Sequence, residues 1–221
     1  MTETDLKEYY SRRAAEYERV YEKPERQGDL AALKERLRRL LQGRHVLEIA
    51  CGTGYWTEAI APAARSVFAT DVSPESLEIA RGKPYPPNRV RFDLADAYRL
   101  DAVAGDFTAC LAAFWWSHVP KQDLAGFLDG LHRRLGGGAR VVFADNRYVE
   151  GSSTPITHRD DDGNTYQDRT LRDGGRFRVL KNFPAENEIA RLLRGQSADL
   201  EFTTLDYYWI LSYSTMGTEV P

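Results

Sequence analysis

The stretch RHVLEIACGTGYWTEAI, residues 44–60, passes from an apolar, β-branched segment through a glycine turn into a helical pattern. A strand ending in a turn that opens a helix gathers free backbone N–H groups and a positive helix end at one place. In parallel sheets that place lies beyond the carboxyl ends of the strands, where ligands sit. Gly52 and Gly54 let the chain turn sharply and let a ligand approach the backbone. Cys51 stands inside the turn. A nucleophilic thiol needs a basic partner, and the sequence assigns none, so Cys51 reads as a small, weakly polar filler.

Outward from this turn, strand and helix patterns alternate. HVLEIA is the first strand, followed by a helix from Tyr55; SVFATDV is the second, and SPESLEIARG a helix with Ser73 as cap, Pro74 in the first turn and Gly82 at the end. RVRFDLA and DFTACLAAF supply a third and a fourth strand, KQDLAGFLDGLHRRL a helix, and GGGARVVFADN a fifth strand. Such alternation implies right-handed βαβ units and a parallel sheet covered on both faces. The rhythm breaks at the end of the chain, where DLEFTTLDYYWILSYST reads as two strands that pair as a hairpin. The fold class expected is α/β: a Rossmann-like, doubly wound sheet, mostly parallel, with a terminal antiparallel hairpin strand.

Upstream, residues 4–22 carry tyrosines at 9, 10, 17 and 21 and suit a helix, while DLAALKERLRRLL is an amphipathic helix with Asp29 as its N-cap. Four regions follow from this reading: a helical cap over 1–28, an α/β core over 29–145, a flap or hairpin insertion over 146–183, and a helix plus antiparallel hairpin over 184–221 completing the same sheet. The insertion contains DDDGN, but its glycine is fourth rather than sixth and Leu171 stands where a calcium loop needs glutamate. No metal is expected.

The chain has 221 residues, enough for one substantial domain. No apolar run reaches the roughly 18–20 residues that span a bilayer, and the polar N-terminus is no secretory signal. Two cysteines without a CxxC spacing argue against disulfides and structural zinc. The expectation is a soluble cytoplasmic protein without a membrane partner, monomeric or homodimeric. Thirty Lys and Arg against 33 Asp and Glu leave a formal charge of −3. The densest basic segments, LKERLRRLLQGR and LHRRLGGGAR, have leucines at helical spacing and read as solvated helix faces. Nucleic acid is therefore not expected.

Three carboxylates mark successive strands: Glu48 inside the first, Asp71 ending the second, Asp96 following the third. An acidic residue after the second strand accepts bonds from ribose hydroxyls and signals a nucleoside. Asp96 is placed to accept from an adenine amino group. A dinucleotide fingerprint would want a third glycine where Thr57 stands. The alternative for each carboxylate is a helix cap or a solvated loop.

VLEIACGTGYWT, VFATDVSPESLEIAR, RFDLADAYRL and FTACLAAFWWSHVP together resemble the ordered motifs of class I S-adenosylmethionine-dependent methyltransferases. The resemblance covers roughly residues 40–145, with the terminal hairpin matching that fold by topology. It implies S-adenosyl-L-methionine as cofactor and S-adenosyl-L-homocysteine as product. By the same resemblance, Gly52 and Gly54 floor the cofactor site, Glu48 orients the turn and faces the methionine end, Asp71 holds the ribose, Val72 and Ala97 sandwich the adenine, and Asp96 takes its amino group. Cys51, Trp56, Ser73 and Ala113 complete that surface, and Ala50 occupies the place of the family's first glycine. YYSRRAAEYERVY, residues 9–21, resembles the aromatic helix covering the cofactor in many small-molecule members, which makes Tyr9 and Tyr17 candidates.

The resemblance places the transfer site after the fourth strand, at AAFWWSHVP. His118 there is a candidate general base or acceptor contact, its alternative being a helix cap or a packing partner of a tryptophan. Trp115 and Trp116 cannot both face inward from a strand, so one is expected to border a pocket. Asn146, Arg147 and Tyr148, after the fifth strand beside Asp145, are candidate acceptor contacts. No NPPY-type motif of base-modifying enzymes follows the fourth strand, so the expected activity is methyl transfer to an oxygen or nitrogen of a small molecule. A nicotinamide-dependent oxidoreductase, a non-catalytic S-adenosylmethionine-binding protein and a nucleic-acid methyltransferase remain the alternatives.

Overall fold

The computed structural model describes residues 3–217. Its main sheet has seven strands: β1 (His45–Ile49), β2 (Ser66–Asp71), β3 (Val90–Leu94), β4 (Ala109–Ala113), β5 (Arg140–Asn146), β9 (Ser197–Thr204) and β10 (Tyr208–Thr215). They run in the order β3-β2-β1-β4-β5-β10-β9. The first five pair in parallel, and β10 is antiparallel to both β5 and β9. The α/β class, the mostly parallel sheet and the terminal hairpin therefore agree with the pattern of the sequence.

Alternation within β1 explains why this sheet is covered on both faces. Val46 joins the core formed with Leu30, Leu33, Leu37 and Leu41 of α2 (Gln27–Leu41) and with α3 (Tyr55–Ile60). Leu47 and Ile49 point the other way, into the core formed with Phe127, Leu128 and Leu131 of α5 (Leu124–Leu135) and Ile189 of α6 (Glu186–Leu192). The helix α4 (Pro74–Arg81) starts as its sequence dictates: Pro74 is its first residue, and the hydroxyl of Ser73 accepts from the Ser76 amide at 3.1 Å.

Two local readings differ from the structure. The helix expected over residues 4–22 is divided: α1 (Glu3–Arg13) gives way to a 3-10 segment, Ala14–Tyr21. A three-residue period aligns Ala14, Tyr17 and Val20 on one side, where Tyr17 and Val20 pack against the core. Asp29 does not cap α2, which begins at Gln27; its carboxylate instead accepts from the Tyr207 amide at 2.7 Å, joining α2 to the terminal hairpin. The region after β5 forms a separate three-stranded antiparallel sheet, β6 (His158–Arg159), β7 (Thr165–Thr170) and β8 (Arg176–Leu180). Tyr9 packs with Leu171 and Val179, so α1 and this small sheet share a cluster. No helix among the described residues is long and apolar enough to cross a membrane.

Candidate active site

The order of the central strands reverses between β1 and β4, and the crevice at this switch point is where an open α/β sheet receives a ligand. A cavity of about 430 Å³ lies there, within the size range of small-molecule sites. Its floor is the turn after β1. Ala50, Gly52 and Gly54 have φ of 53°, 56° and 80°, which lets successive amides turn away from the strand. A Cβ added to Gly52 would meet nothing within 4 Å, whereas one on Gly54 would come within 2.6 Å of the Tyr85 hydroxyl. Gly52 therefore leaves room at the cavity, and Gly54 permits close packing beneath it.

Asp71, at the end of β2, accepts from the Gly52 amide at 2.8 Å and the Ser73 amide at 2.9 Å. Burial raises its pKa, and those amide donors counter the rise. Its carboxylate is thereby fixed at the cavity wall beside Val72 and Ser73. Asp96 and Ala97 border the same wall; the Asp96 carboxylate accepts from the Tyr98 amide at 2.8 Å. Ala50, Cys51, Trp56 and Ala113 also line the cavity. Cys51 is buried, and burial pushes its thiol pKa up, which disfavours the nucleophilic thiolate. It packs rather than reacts.

Of the tyrosine candidates, Tyr17 lines this cavity, whereas Tyr9 is turned into the cluster with Leu171 and Val179. Tyr10, Tyr21 and Tyr55 were not singled out from the sequence, yet all three line the cavity. The change from α to 3-10 geometry after Arg13 is what a uniform helical period misses. Tyr21 stacks on Tyr55 with centroids 4.0 Å apart and accepts from the Trp56 indole N–H at 3.0 Å. Glu48 does not border the cavity; it is buried at 1% exposure within β1, and burial raises its pKa to about 8.

After β4, Phe114 adopts a φ of 62° and the chain enters a short 3-10 turn, Trp116–His118. This divides the tryptophans: Trp115 lines the cavity, and Trp116 is core, edge-on to Phe143 and Trp209. His118 lies 2.7 Å through Nδ1 from the Leu180 carbonyl oxygen. A carbonyl only accepts, so Nδ1 carries the proton and Nε2 is left as an acceptor. Nε2 takes the hydrogen bond of the Tyr10 hydroxyl at 2.7 Å. Burial and then Lys181 push the His118 pKa well below the usual imidazole value, so the neutral ring dominates.

A second cavity, of about 260 Å³, shares Tyr10, Tyr17, Tyr21, Phe114 and His118 with the first. Asn146 borders it. The Arg147 guanidinium donates to the Leu205 and Asp206 carbonyls at 2.6 and 3.1 Å, bracing the terminal hairpin, and Tyr148 lines neither cavity but packs on Phe183, which borders the second. Asp145 is fully buried; it accepts from the Ser117 amide at 2.9 Å and pairs with Lys181 at 3.0 Å. Lys181 follows β8 in the run RVLKN, where a lone lysine after apolar residues was the signal available.

The family model described as "Methyltransferase domain" matches residues 46–138. An O-methyltransferase, cnsE of Penicillium expansum, is 29% identical over 165 residues, taking in 64% of this chain and 59% of the relative. The chain spans about half the length of the curated relatives it matches. Among solved structures, a DhpI–SAH complex superposes with a TM-score of 0.76 at 27% identity, over 97% of this chain and 99% of that one. A DhpI–SAM–HEP complex gives 0.75 at 28% identity, over 96% and 99%.

Proposed function

We propose that this chain, which carries a class I methyltransferase domain, transfers a methyl group from S-adenosylmethionine to an oxygen of a small molecule. The observation that carries the reading is one cavity bordered by the Gly52 turn, Asp71 and Asp96 at the tips of adjoining strands. The space beside Gly52 and the two carboxylates fit an adenosyl group, with Asp71 accepting from ribose hydroxyls, Asp96 from the adenine amino group, and Val72 and Ala97 against the ring. The aromatic faces of Tyr10, Tyr17, Tyr21 and Phe114 suit a sulfonium, because a cation is drawn to the ring quadrupole. The two DhpI complexes hold SAH and SAM, which supports the choice of cofactor. The relative from Penicillium is named an O-methyltransferase, which supports an oxygen acceptor.

When bound, S-adenosylmethionine would supply a methyl group on a sulfonium for in-line displacement by the acceptor oxygen, with the sulfur of S-adenosylhomocysteine as the leaving group. The chain's own residues orient the acceptor and exclude water around that displacement. Where the acceptor oxygen carries a proton, Tyr10 and His118 stand at the junction of the two cavities to take it: the Tyr10 hydroxyl passes a proton to Nε2 as it receives one. The formal charge of −3 and two free, buried cysteines fit a cytoplasmic enzyme acting on metabolites rather than on nucleic acid. The test is incubation with methyl-labelled donor and a metabolite extract, followed by mass spectrometry. A labelled small molecule that vanishes in Asp71→Ala supports the reading, and label appearing only in RNA or DNA contradicts it.

A further inference from the structure

The second cavity has a composition that the chain as a whole does not. Although the protein is acidic overall, five cationic side chains, Arg13, Lys23, Arg26, Arg169 and Lys181, border this one space, and no carboxylate does so among the described residues. Lys181 is neutralised by Asp145 at 3.0 Å, and Lys23 reaches Glu25 at 4.0 Å. The three arginines are different: none takes part in an ion pair among the described residues.

Their hydrogen bonds go to neutral groups. Arg13 donates to the Tyr9 hydroxyl at 2.8 Å, and Arg169 donates to the same oxygen at 3.4 Å and to Gln167 Oε1 at 2.6 Å. Arg26 is only 7% exposed; it donates to Asn146 Oδ1 at 3.4 Å and to the Ser152 hydroxyl at 2.9 Å, and lies over the rings of Tyr207 and Tyr208. Nε of both Arg26 and Arg169 is buried without any partner. Like charges gathered in a partly buried space repel, and burying a charge without a counter-ion is unfavourable. A cluster so arranged is completed by an anion, and the planar fork of arginine matches the oxygens of a carboxylate or phosphate group.

Resting on the methyl-transfer reading above, we infer that the acceptor is a small molecule bearing an oxyanion of the carboxylate or phosphate type, held in the second cavity by Arg13, Arg26 and Arg169. The shared wall of Tyr10, Tyr17, Tyr21, Phe114 and His118 sets that anionic end beside the space assigned to the cofactor. The volume of about 260 Å³ admits a metabolite of modest size. An anion beside Arg169 and Lys181 also offsets two of the positive charges that hold His118 neutral, so acceptor binding raises the basicity of the group nearest the reacting end.

The test is calorimetric titration of the S-adenosylhomocysteine-saturated protein with inorganic phosphate, propionate and propan-1-ol. Saturable one-to-one binding of at least one anion, with none of the alcohol, is expected; the tighter anion identifies the oxyanion class. Arg169→Gln and Arg13→Gln should each weaken anion binding about tenfold or more, with S-adenosylhomocysteine affinity unchanged. That unchanged affinity also reports intact folding. Arg169→Lys should restore part of the loss. The inference is overturned if the alcohol binds as well as the anions, if neither anion binds, or if both glutamine variants bind anions as the wild type does. Cofactor binding without anion binding removes this inference and leaves methyl transfer standing; anion binding without cofactor binding overturns both the methyl-transfer reading and the assignment of the anion as its acceptor.

Discussion

His118 and Tyr10 hold the most specific chemistry at the scale of single residues. With Nδ1 bonded to the Leu180 carbonyl and the ring pKa depressed by burial and Lys181, the imidazole stays neutral over the whole ordinary pH range. A depressed pKa means the acceptor form is not lost on acidification through pH 6.5, where a free histidine charges. The pH–rate profile should therefore lack a limb near 6.5, and an acidic limb at that value would show that His118 titrates normally. His118→Ala should lower kcat about a hundredfold where a proton must be removed, leaving S-adenosylhomocysteine affinity intact; an unchanged kcat would make the residue a packing group. The motif residues of this site were legible because a few consecutive positions around each strand end carry them: Gly52, Asp71 and Asp96 needed only the strand pattern. Tyr10 was not, because choosing among tyrosines 9, 10, 17 and 21 requires the phase of a segment that changes helical type at Arg13. The arginines lie at 13, 26 and 169, so no local spacing connects them.

At the scale of elements, the link between β8 and β5 is the ion pair of Lys181 with Asp145, both almost without exposure. Lys181 also donates to the Ser117 hydroxyl at 2.6 Å, so this pair ties the small sheet to the turn that carries His118. Removing one partner of a buried pair strands the other charge. Lys181→Met should destabilise the protein by about 3–5 kcal/mol in urea unfolding, and Lys181→Met with Asp145→Leu should recover part of that loss. A single-variant change within about 0.5 kcal/mol, the range of an ordinary surface substitution, would contradict the assignment. The parallel strands and terminal hairpin were legible because their periodicity is local and strong. The three-stranded sheet was anticipated only as hairpins or a flap, since polar strands such as TYQDRT show no clear apolar alternation and are held by pairing with β8, which packs on α1.

Across the whole molecule, the cavity beside the Gly52 turn is built where two cores and the N-terminal segment meet, and one buried group outside it makes stability depend on pH. Glu48, buried in β1 with its pKa raised to about 8, keeps its proton longer in the folded than in the unfolded chain, where a glutamate titrates near 4.3. Its favourable state is fully present below the unfolded pKa and is lost as pH rises toward 8. Unfolding free energy of the free protein should thus fall between about pH 4.5 and 8 more steeply in the wild type than in Glu48→Gln; parallel curves would contradict this. The most direct measurement for the whole account is calorimetric titration of the full chain and of Asp71→Ala with S-adenosylhomocysteine. The predicted result is one site per chain, weakened by about 1–3 kcal/mol when the Asp71 acceptors are removed. Absence of binding, or binding that ignores Asp71, would contradict it.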